Sequence, residues 1–571
     1  MRYWNFGRFG FWLYPSVFRG FVLATGLGVC LSIIWWFNRP LPVKKESPPP
    51  IVKSSLLPRQ PLDTSGYFLL VGSNRWENSA SLKEISKIWE RSEAMILHDL
   101  DGRIGASGER IDFQVSTVLR KAALLMSLGK TAEAGLLLRD TRKRIEENGD
   151  EAKNMTLANL LYLQGIVALR QGENDNCILC RGESSCILPI APGAIHQNPK
   201  GSRQAIEHFS EYLREFPDDL EVKWLLNVAH MTLREYPAKV NPSDLINIDS
   251  FLNSKVDIGK FRDIGHLTGI NRFNQAGGVV MEDFDNDGLL DLAVTCFDPR
   301  KPLAFFRNLG NGQFEEQTKI SGLDAQLGGL NCVQADYNND GLIDLYIPRG
   351  AWLSSPIRPT LLRNDGGFHF TDVTVEAGLL DPVNSNCAEW ADYDNDGWVD
   401  LFICCEKQHN RLYKNLGNGK FKEVSLEAGL GWDGQMFAKG GAWVDIDNDD
   451  YPDLFVNYLS GRGQLFRNKR DGTFQNVTHS FGIEGPTTGF SCWAWDFNND
   501  GYMDIFATCY ERTLKDTVLG LQGKPHGLKS NKLYLNEKGK GFRDIAKEAG
   551  LDMVFRNRAK ITYRLGLTSC S

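Results

Sequence analysis

Five nine-residue acidic segments constrain this chain more than any other feature: DFDNDGLLD, DYNNDGLID, DYDNDGWVD, DIDNDDYPD and DFNNDGYMD, starting at Asp283, Asp336, Asp392, Asp445 and Asp496. Each reads D-x-[DN]-x-D-[GD]-x-x-D, and their starts are 53, 56, 53 and 51 residues apart. Apolar runs such as GGVVMEDF and DLAVTCF flank them. Hairpins of the type FFRNLGNGQF, LLRNDGGFHF, LYKNLGNGKF, LFRNKRDGTF and LYLNEKGKGF follow. An entry motif, F-x-D-[VI]…[AT]-G-[LI], recurs from Phe261, Phe314, Phe370, Phe421, Phe474 and Phe542, with Glu316 and Gln317 departing from it in the second copy. A period near 50 with about four short strands per unit predicts an all-β propeller.

The spacing within each segment suits a hard cation. Side-chain oxygens at positions 1, 3, 5 and 9 converge if position 6 turns sharply, and the carbonyl of position 7 adds one more. Calcium accepts about six to eight oxygens in flexible geometry, whereas magnesium wants a tighter octahedron. The candidate ligands are Asp283, Asp285, Asp287, Leu289 and Asp291 in the first loop, and Asp336, Asn338, Asp340, Leu342 and Asp344 in the second. The third offers Asp392, Asp394, Asp396, Trp398 and Asp400, and the fourth Asp445, Asp447, Asp449, Tyr451 and Asp453. The fifth offers Asp496, Asn498, Asp500, Tyr502 and Asp504. The expectation is about five Ca²⁺ sites. An EF-hand runs to a glutamate at position 12 between helices, so spacing and strand-like flanks exclude it. Loops two and five carry asparagine at position 3 and one charge fewer. Loop four has Asp450 where the others have glycine, and is expected to be the most strained.

The loops, the Gly-Gly pairs before several of them (Gly277-Gly278, Gly328-Gly329, Gly440-Gly441) and the hairpins resemble FG-GAP/VCBS repeats. The run GGLNCVQADYNNDGLIDLYIPRGAW together with FTDVTVEAGL is similar to the ASPIC/UnbV group, relatives of cartilage acidic protein. The resemblance spans about 255–551. It implies calcium-stiffened blades with binding surfaces elsewhere, and it names no ligand.

The rest of the chain reads as separate pieces. Residues 20–37, GFVLATGLGVCLSIIWWF, carry no charge and would make roughly 27 Å of helix, enough for a single-pass anchor after a cytoplasmic 1–19. A cleaved signal peptide is the alternative. With calcium abundant outside the cytosol, the bulk of the chain is expected to be extracytoplasmic, periplasmic or on the cell surface. Residues 38–80 form a proline-rich linker, and 81–240 show helical periodicity that resembles tetratricopeptide hairpins or else a generic bundle. Cys177, Cys180 and Cys186 lack the His of a haem attachment; with His196 they could bind zinc, or they pair in a loop disulfide. Cross-strand disulfides are conceivable between Cys387 and Cys404 or Cys405, and between Cys492 and Cys509, with buried free thiols as the alternative. Trp390, Trp398, Trp443, Trp493 and Trp495 either pack between blades or line a binding surface. The tail 552–571 lacks a sixth loop, which reads as a truncated or frameshifted end or a natural short form.

A net charge of −7 gives no reason to expect nucleic acid. No G-x-S-x-G, H-E-x-x-H or phosphate loop is present. The function expected is a calcium-binding, membrane-anchored binding, adhesion or scaffold protein with a protein or glycan ligand. A calcium-dependent enzyme acting on an extracellular polymer such as polysaccharide is the alternative.

Overall fold

The computed structural model describes residues 56–551 except 105–109, 148, 178–189, 191, 249–263, 273–274, 276, 432–436, 511–512, 523 and 528. Among the described residues, seven helices of seven residues or more come first: α1 Tyr67–Ser73, α2 Leu82–Ile104, α3 Ile111–Ser127, α4 Thr131–Glu147, α5 Asp150–Cys177, α6 Lys200–Glu215 and α7 Leu220–Thr232. Local chemistry sets their starts. Ser81 and Glu84 form a capping box ahead of α2: the Ser81 N–H donates to Glu84 at 2.8 Å, and the Glu84 N–H to the Ser81 hydroxyl at 3.3 Å. Asp219 caps α7 by accepting the N–H groups of Glu221 and Val222. Apolar residues at helical spacing, such as Ile85, Trp89, Ile96 and Leu100 of α2, are buried. Gly172 and Gly201 let α5 and α6 approach closely, because a Cβ on Gly201 would fall 2.4 Å from the Gly172 nitrogen.

Within the stretch read as linker, Leu56 is buried and Arg59 pairs with Asp219 at 3.0 Å and with Glu221 at 2.5 Å, while Leu57, Pro58, Gln60 and Pro61 are exposed. The single-pass membrane protein is corrected. Among the described residues no helix is long and apolar enough to cross a membrane. The longest, α5, has 28 residues but carries Lys153, Arg170 and Glu173, so its length does not make it a span. The segment 20–37 lies outside the described residues, as do 1–19, the tail 552–571, and Cys180 and Cys186. The membrane-anchored localisation is therefore withdrawn. The His196 side chain is within hydrogen-bond reach of Ser202, at 2.9 Å.

Beyond the helices lie five four-stranded antiparallel meanders, each in simple sequence order. Sheet one holds β1 Val279–Glu282, β2 Asp291–Val294, β3 Ala304–Asn308 and β4 Phe314–Glu316. Sheet two holds β5 Val333–Ala335, β6 Asp344–Ile347, β7 Thr360–Asn364 and β8 Phe370–Asp372. Sheet three holds β9 Ser385–Ala391, β10 Asp400–Cys405, β11 Arg411–Asn415 and β12 Phe421–Glu423. Sheet four holds β13 Ala438–Val444, β14 Asp453–Tyr458, β15 Gln464–Asn468 and β16 Phe474–Asn476. Sheet five holds β17 Gly489–Trp495, β18 Asp504–Cys509, β19 Lys532–Asn536 and β20 Phe542–Asp544. A helix, α8 Leu514–Leu521, interrupts its second connection and packs Leu514 and Val518 into the helical core.

Each sheet packs on the next. Sheets four and five share one core, in which Val444, Ile446, Phe455, Leu465, Val477 and Ile483 meet Ile505, Ala507 and Tyr534. The matching face of sheet five gathers Trp495, Phe497, Phe506, Leu533, Ile545 and Leu551, with no residue of another sheet among them. At the other end Val279 and Met281 are exposed, as is Trp493 on sheet five. Among the described residues the stack is thus open at both ends. The tryptophans divide accordingly: Trp443 stacks on Tyr393 and Trp390 meets Tyr346 edge-on, while Trp493 stays half exposed.

The acidic loops join the first two strands of every sheet. The opposite ends of the strands meet the helices: Trp76 donates to the Pro356 carbonyl at 2.6 Å, Ser354 to the Val71 carbonyl at 2.8 Å, and Arg300 pairs with Glu93 at 2.7 Å. There four sheets converge on Trp352, whose backbone N–H donates to the Glu406 carboxylate. Lys439 pairs with the same carboxylate and lies 3.2 Å from the indole centroid, and Phe490 and Tyr510 stack alongside. Both ionic side chains are almost wholly buried, where each demands the other because an unpaired charge is costly in an apolar interior.

Candidate metal centres

The five loops fold alike because one carboxylate organises each. The position 1 aspartate accepts the N–H groups of positions 5 and 6: in loop three Asp392 takes those of Asp396 and Gly397 at 3.0 and 2.8 Å. Asp283, Asp336, Asp445 and Asp496 do the same. The position 5 aspartates Asp287, Asp340, Asp396, Asp449 and Asp500 accept the N–H of position 7, which is Leu289, Leu342, Trp398, Tyr451 and Tyr502 in turn. Position 6 is left-handed throughout, with φ 85° at Gly288 and φ 67° at Asp450. Loop four therefore bears the side-chain strain that glycine spares the others.

Position 9 is the anchor. Asp291, Asp344, Asp400, Asp453 and Asp504 are at most 2 % exposed. Each accepts the position 2 N–H on one oxygen and a β-strand N–H on the other: Asp400 takes Tyr393 at 3.2 Å and Asn415 at 2.8 Å. The other four repeat this pattern. Burial pushes the Asp400 carboxyl up to about 8, Asp344 and Asp453 to about 7, and Asp291 to about 6, and it raises Asp504 also.

Among the described residues, carboxylate oxygens come within 4.8 Å of one another in three groups: Asp283, Asp285 and Asp291; Asp392, Asp394 and Asp400; Asp445, Asp447 and Asp453. These are the loops with aspartate at position 3. In loops two and five the amides of Asn338 and Asn498 turn instead to Asp340 and Asp500, at 2.8 and 3.1 Å. One oxygen each of Asp394 and Asp447 is buried without a hydrogen-bond partner. Clustered anionic oxygens with unused, desolvated lone pairs fit a hard cation.

Basic side chains enter the same three loops. Arg307 lies 3.4 Å from both Asp285 and Asp287. Lys414 pairs with Asp394, and with Asp396 at 3.2 Å. Arg467 pairs with Asp447, and Arg470 with Asp449 at 2.6 Å. In loop two the equivalent Arg363 turns away to Asp365, and sheet five has Leu535 there. Formal charges of each loop plus its bonded cations come to three negative in every case. The charge deficit read from Asn338 and Asn498 is thereby levelled.

Sequence reasoning missed two sets of asparagines. Position 4 is asparagine in every loop, left-handed with φ 56–58°. Asn286, Asn339, Asn395 and Asn448 each donate to the position 6 carbonyl of the next loop, at 2.8–3.1 Å. The hairpin asparagines Asn364, Asn415, Asn468 and Asn536 reach back to the position 2 carbonyl of the preceding loop, at 2.7–2.8 Å. The signal lay in the repeats themselves, where both positions never vary among the five copies.

A family model described as FG-GAP-like repeat matches residues 283–347, 392–456 and 445–507. Those stretches begin on the first aspartates of loops one, three and four.

The chain carries FG-GAP-like repeats.

The FG-GAP-like array is also similar to cartilage acidic protein 1. Identity is 25 % over 245 residues with the Xenopus tropicalis protein, covering 40 % of this chain and 37 % of that one. It is 26 % over 237 residues with the Mus musculus protein, covering 39 % and 35 %. With the Homo sapiens protein it is 25 % over 237 residues, covering 39 % and 34 %. The match thus spans little more than a third of each relative's length. The resemblance read from the loops and hairpins is borne out.

Proposed function

We propose that the FG-GAP-like array binds calcium in its five acidic loops and that the chain is a binding, adhesion or scaffold protein rather than an enzyme. The observation that carries this reading is the repeated loop, in which an aspartate cage closed by its own backbone leaves anionic oxygens clustered. Calcium suits it better than magnesium, because mixed carboxylate and carbonyl oxygens in a flexible loop match its larger, less regular shell. In each loop the ligands would be the side chains of positions 1, 3, 5 and 9 and the carbonyl of position 7. The cation would supply the positive charge that the loops lack. We take the five sheets to be successive blades of a propeller, since each packs on the next, while the outer faces of the first and last stay open among the described residues.

Bound cations would hold the loop row rigid, leaving the helix-facing ends and the helical unit to meet a protein or glycan. Calorimetric titration of the metal-free chain with calcium tests the first step, alongside thermal melts in calcium and in chelator. Several binding events and a higher melting temperature are expected; no heat and no shift would sink the assignment. A glycan and protein binding screen with and without chelator tests the second.

A further inference from the structure

Seven cysteines among the described residues are free thiols. Strand register decides which of them can meet. Cys404 of β10 lies directly opposite Cys387 of β9, while Cys405 faces Ser385. In sheet five Cys492 faces Ala507 and Cys509 faces Gly489, so the Cys492–Cys509 pairing expected from spacing is corrected. The regular register that starts at Trp495 opposite Asp504 already sets Cys492 against Ala507, two residues short of Cys509.

Directly opposed residues of an antiparallel pair stand about 4.5–5.5 Å apart at Cα. A disulfide spans about 4.4–6.8 Å. The Cys387 side chain is the largest cause of the raised Cys404 thiol, ahead of burial. Sheet four makes room for sulfur beside them: a Cβ on Gly441 would lie 3.2 Å from Cys404 Sγ, and one on Gly440 3.0 Å from Cys492 Sγ. Both cysteines are buried in the core shared by sheets three and four.

We propose that Cys387 and Cys404 close a cross-strand disulfide, stapling the first two strands of sheet three when the chain folds with a small-molecule disulfide present. The oxidant is of the oxidised glutathione class. The Cys387 thiol loses its proton to solvent and attacks one oxidant sulfur, releasing one small thiolate and leaving a mixed disulfide. Cys404 loses its proton in turn and attacks the Cys387 sulfur, expelling the second small thiolate. The two thiolates take up two protons, so two cysteine thiols are oxidised as one disulfide is reduced to two thiols. Because sheet four seals both sulfurs, closure belongs to folding, before those sheets meet. The array would then record its compartment: stapled where disulfides persist, open where thiols stay reduced.

The test refolds the full chain from denaturant in mixed reduced and oxidised glutathione, and in parallel under dithiothreitol. Free thiols are then alkylated under denaturing conditions and the peptides mapped. Cys387 and Cys404 should emerge as one linked peptide pair after oxidative refolding and as two alkylated peptides after reduction. C387S should leave Cys404 alkylated, and C492S should leave the pair intact. Alkylation of both residues after oxidative refolding would overturn the proposal, as would a link from Cys404 to Cys492. The wild-type comparison stands even if a variant fails to fold.

Discussion

In loops one, three and four an arginine or lysine from the third strand or the hairpin leans on the acidic cluster, whereas loops two and five carry an asparagine at position 3 and no such cation. By composition the first set holds four, four and five aspartates and the second set three each. With the bonded cations counted, both sets stand at the same formal charge. The array thus tolerates a fourth or fifth carboxylate in a loop only where a neighbouring strand offsets it. Like charges a few ångströms apart repel, and a cation already in place lowers the cost of folding the loop without metal. It also competes with any metal that comes later.

The largest test of this comparison removes an anchor from one loop of each kind. D400N in loop three and D344N in loop two each turn one acceptor into a donor facing a backbone N–H. Each should cost about 2–3 kcal/mol, because a buried donor loses its partner. Chemical denaturation in chelator measures it. If D344N proved harmless, the claim that all five loops share one architecture would break.

Next comes the loop-to-loop stapling. N468A strands the buried carbonyl of Tyr393 and should cost about 1–3 kcal/mol. N308A should cost less, since the Asn308 amide donates within its own sheet, to the Leu290 carbonyl, and to no neighbouring loop among the described residues. Equal effects would mean that contacts between sheets add nothing to these bonds.

D450G is expected to work in the opposite direction. It relieves a left-handed aspartate and keeps the carbonyl that Asn395 uses. A stabilisation of about 0.5–1 kcal/mol is expected in chelator. It also takes one negative charge from loop four, so calcium should gain less there than in the parent chain. A destabilised D450G would show that the Asp450 side chain has a role its backbone conformation does not reveal.

The smallest effect belongs to the tethered cations. K414M unbalances loop three, and N338D unbalances loop two by the same charge. Lys414 is about one-third exposed, so solvent screens the pair and K414M should cost only about 0.5 kcal/mol in chelator. Both variants should widen the gap between melting temperatures with and without calcium. A narrowed gap for K414M would mean that the lysine assists the metal instead of competing with it.

Much of the architecture is legible in the amino-acid sequence. Strand runs, tight turns and five copies of one loop dictate meander sheets, because each of these signals acts over a few residues. The helices are legible for the same reason, and the Ser81–Glu84 capping box is as local as they are. The asparagine staples are visible as letters but not as bonds. Asn468 and the Tyr393 carbonyl are 75 residues apart in sequence, and only the packing of sheet on sheet brings them together. Residues 56–66 read as linker because proline and polar residues dominate nearby. Leu56 and Arg59 nevertheless pack on helices roughly a hundred or more residues away.

What the chain determined by itself is the loop: which oxygens gather, which residue must turn left-handed, and why nine residues suffice. Those are short-range matters of covalent spacing and backbone geometry. Tertiary structure alone decided the charge around each loop, the register that sets Cys404 instead of Cys405 opposite Cys387, and the burial of Lys439 against Glu406 beneath Trp352. Electrostatics and burial depend on what lies across a gap, and distance along the chain says nothing about that.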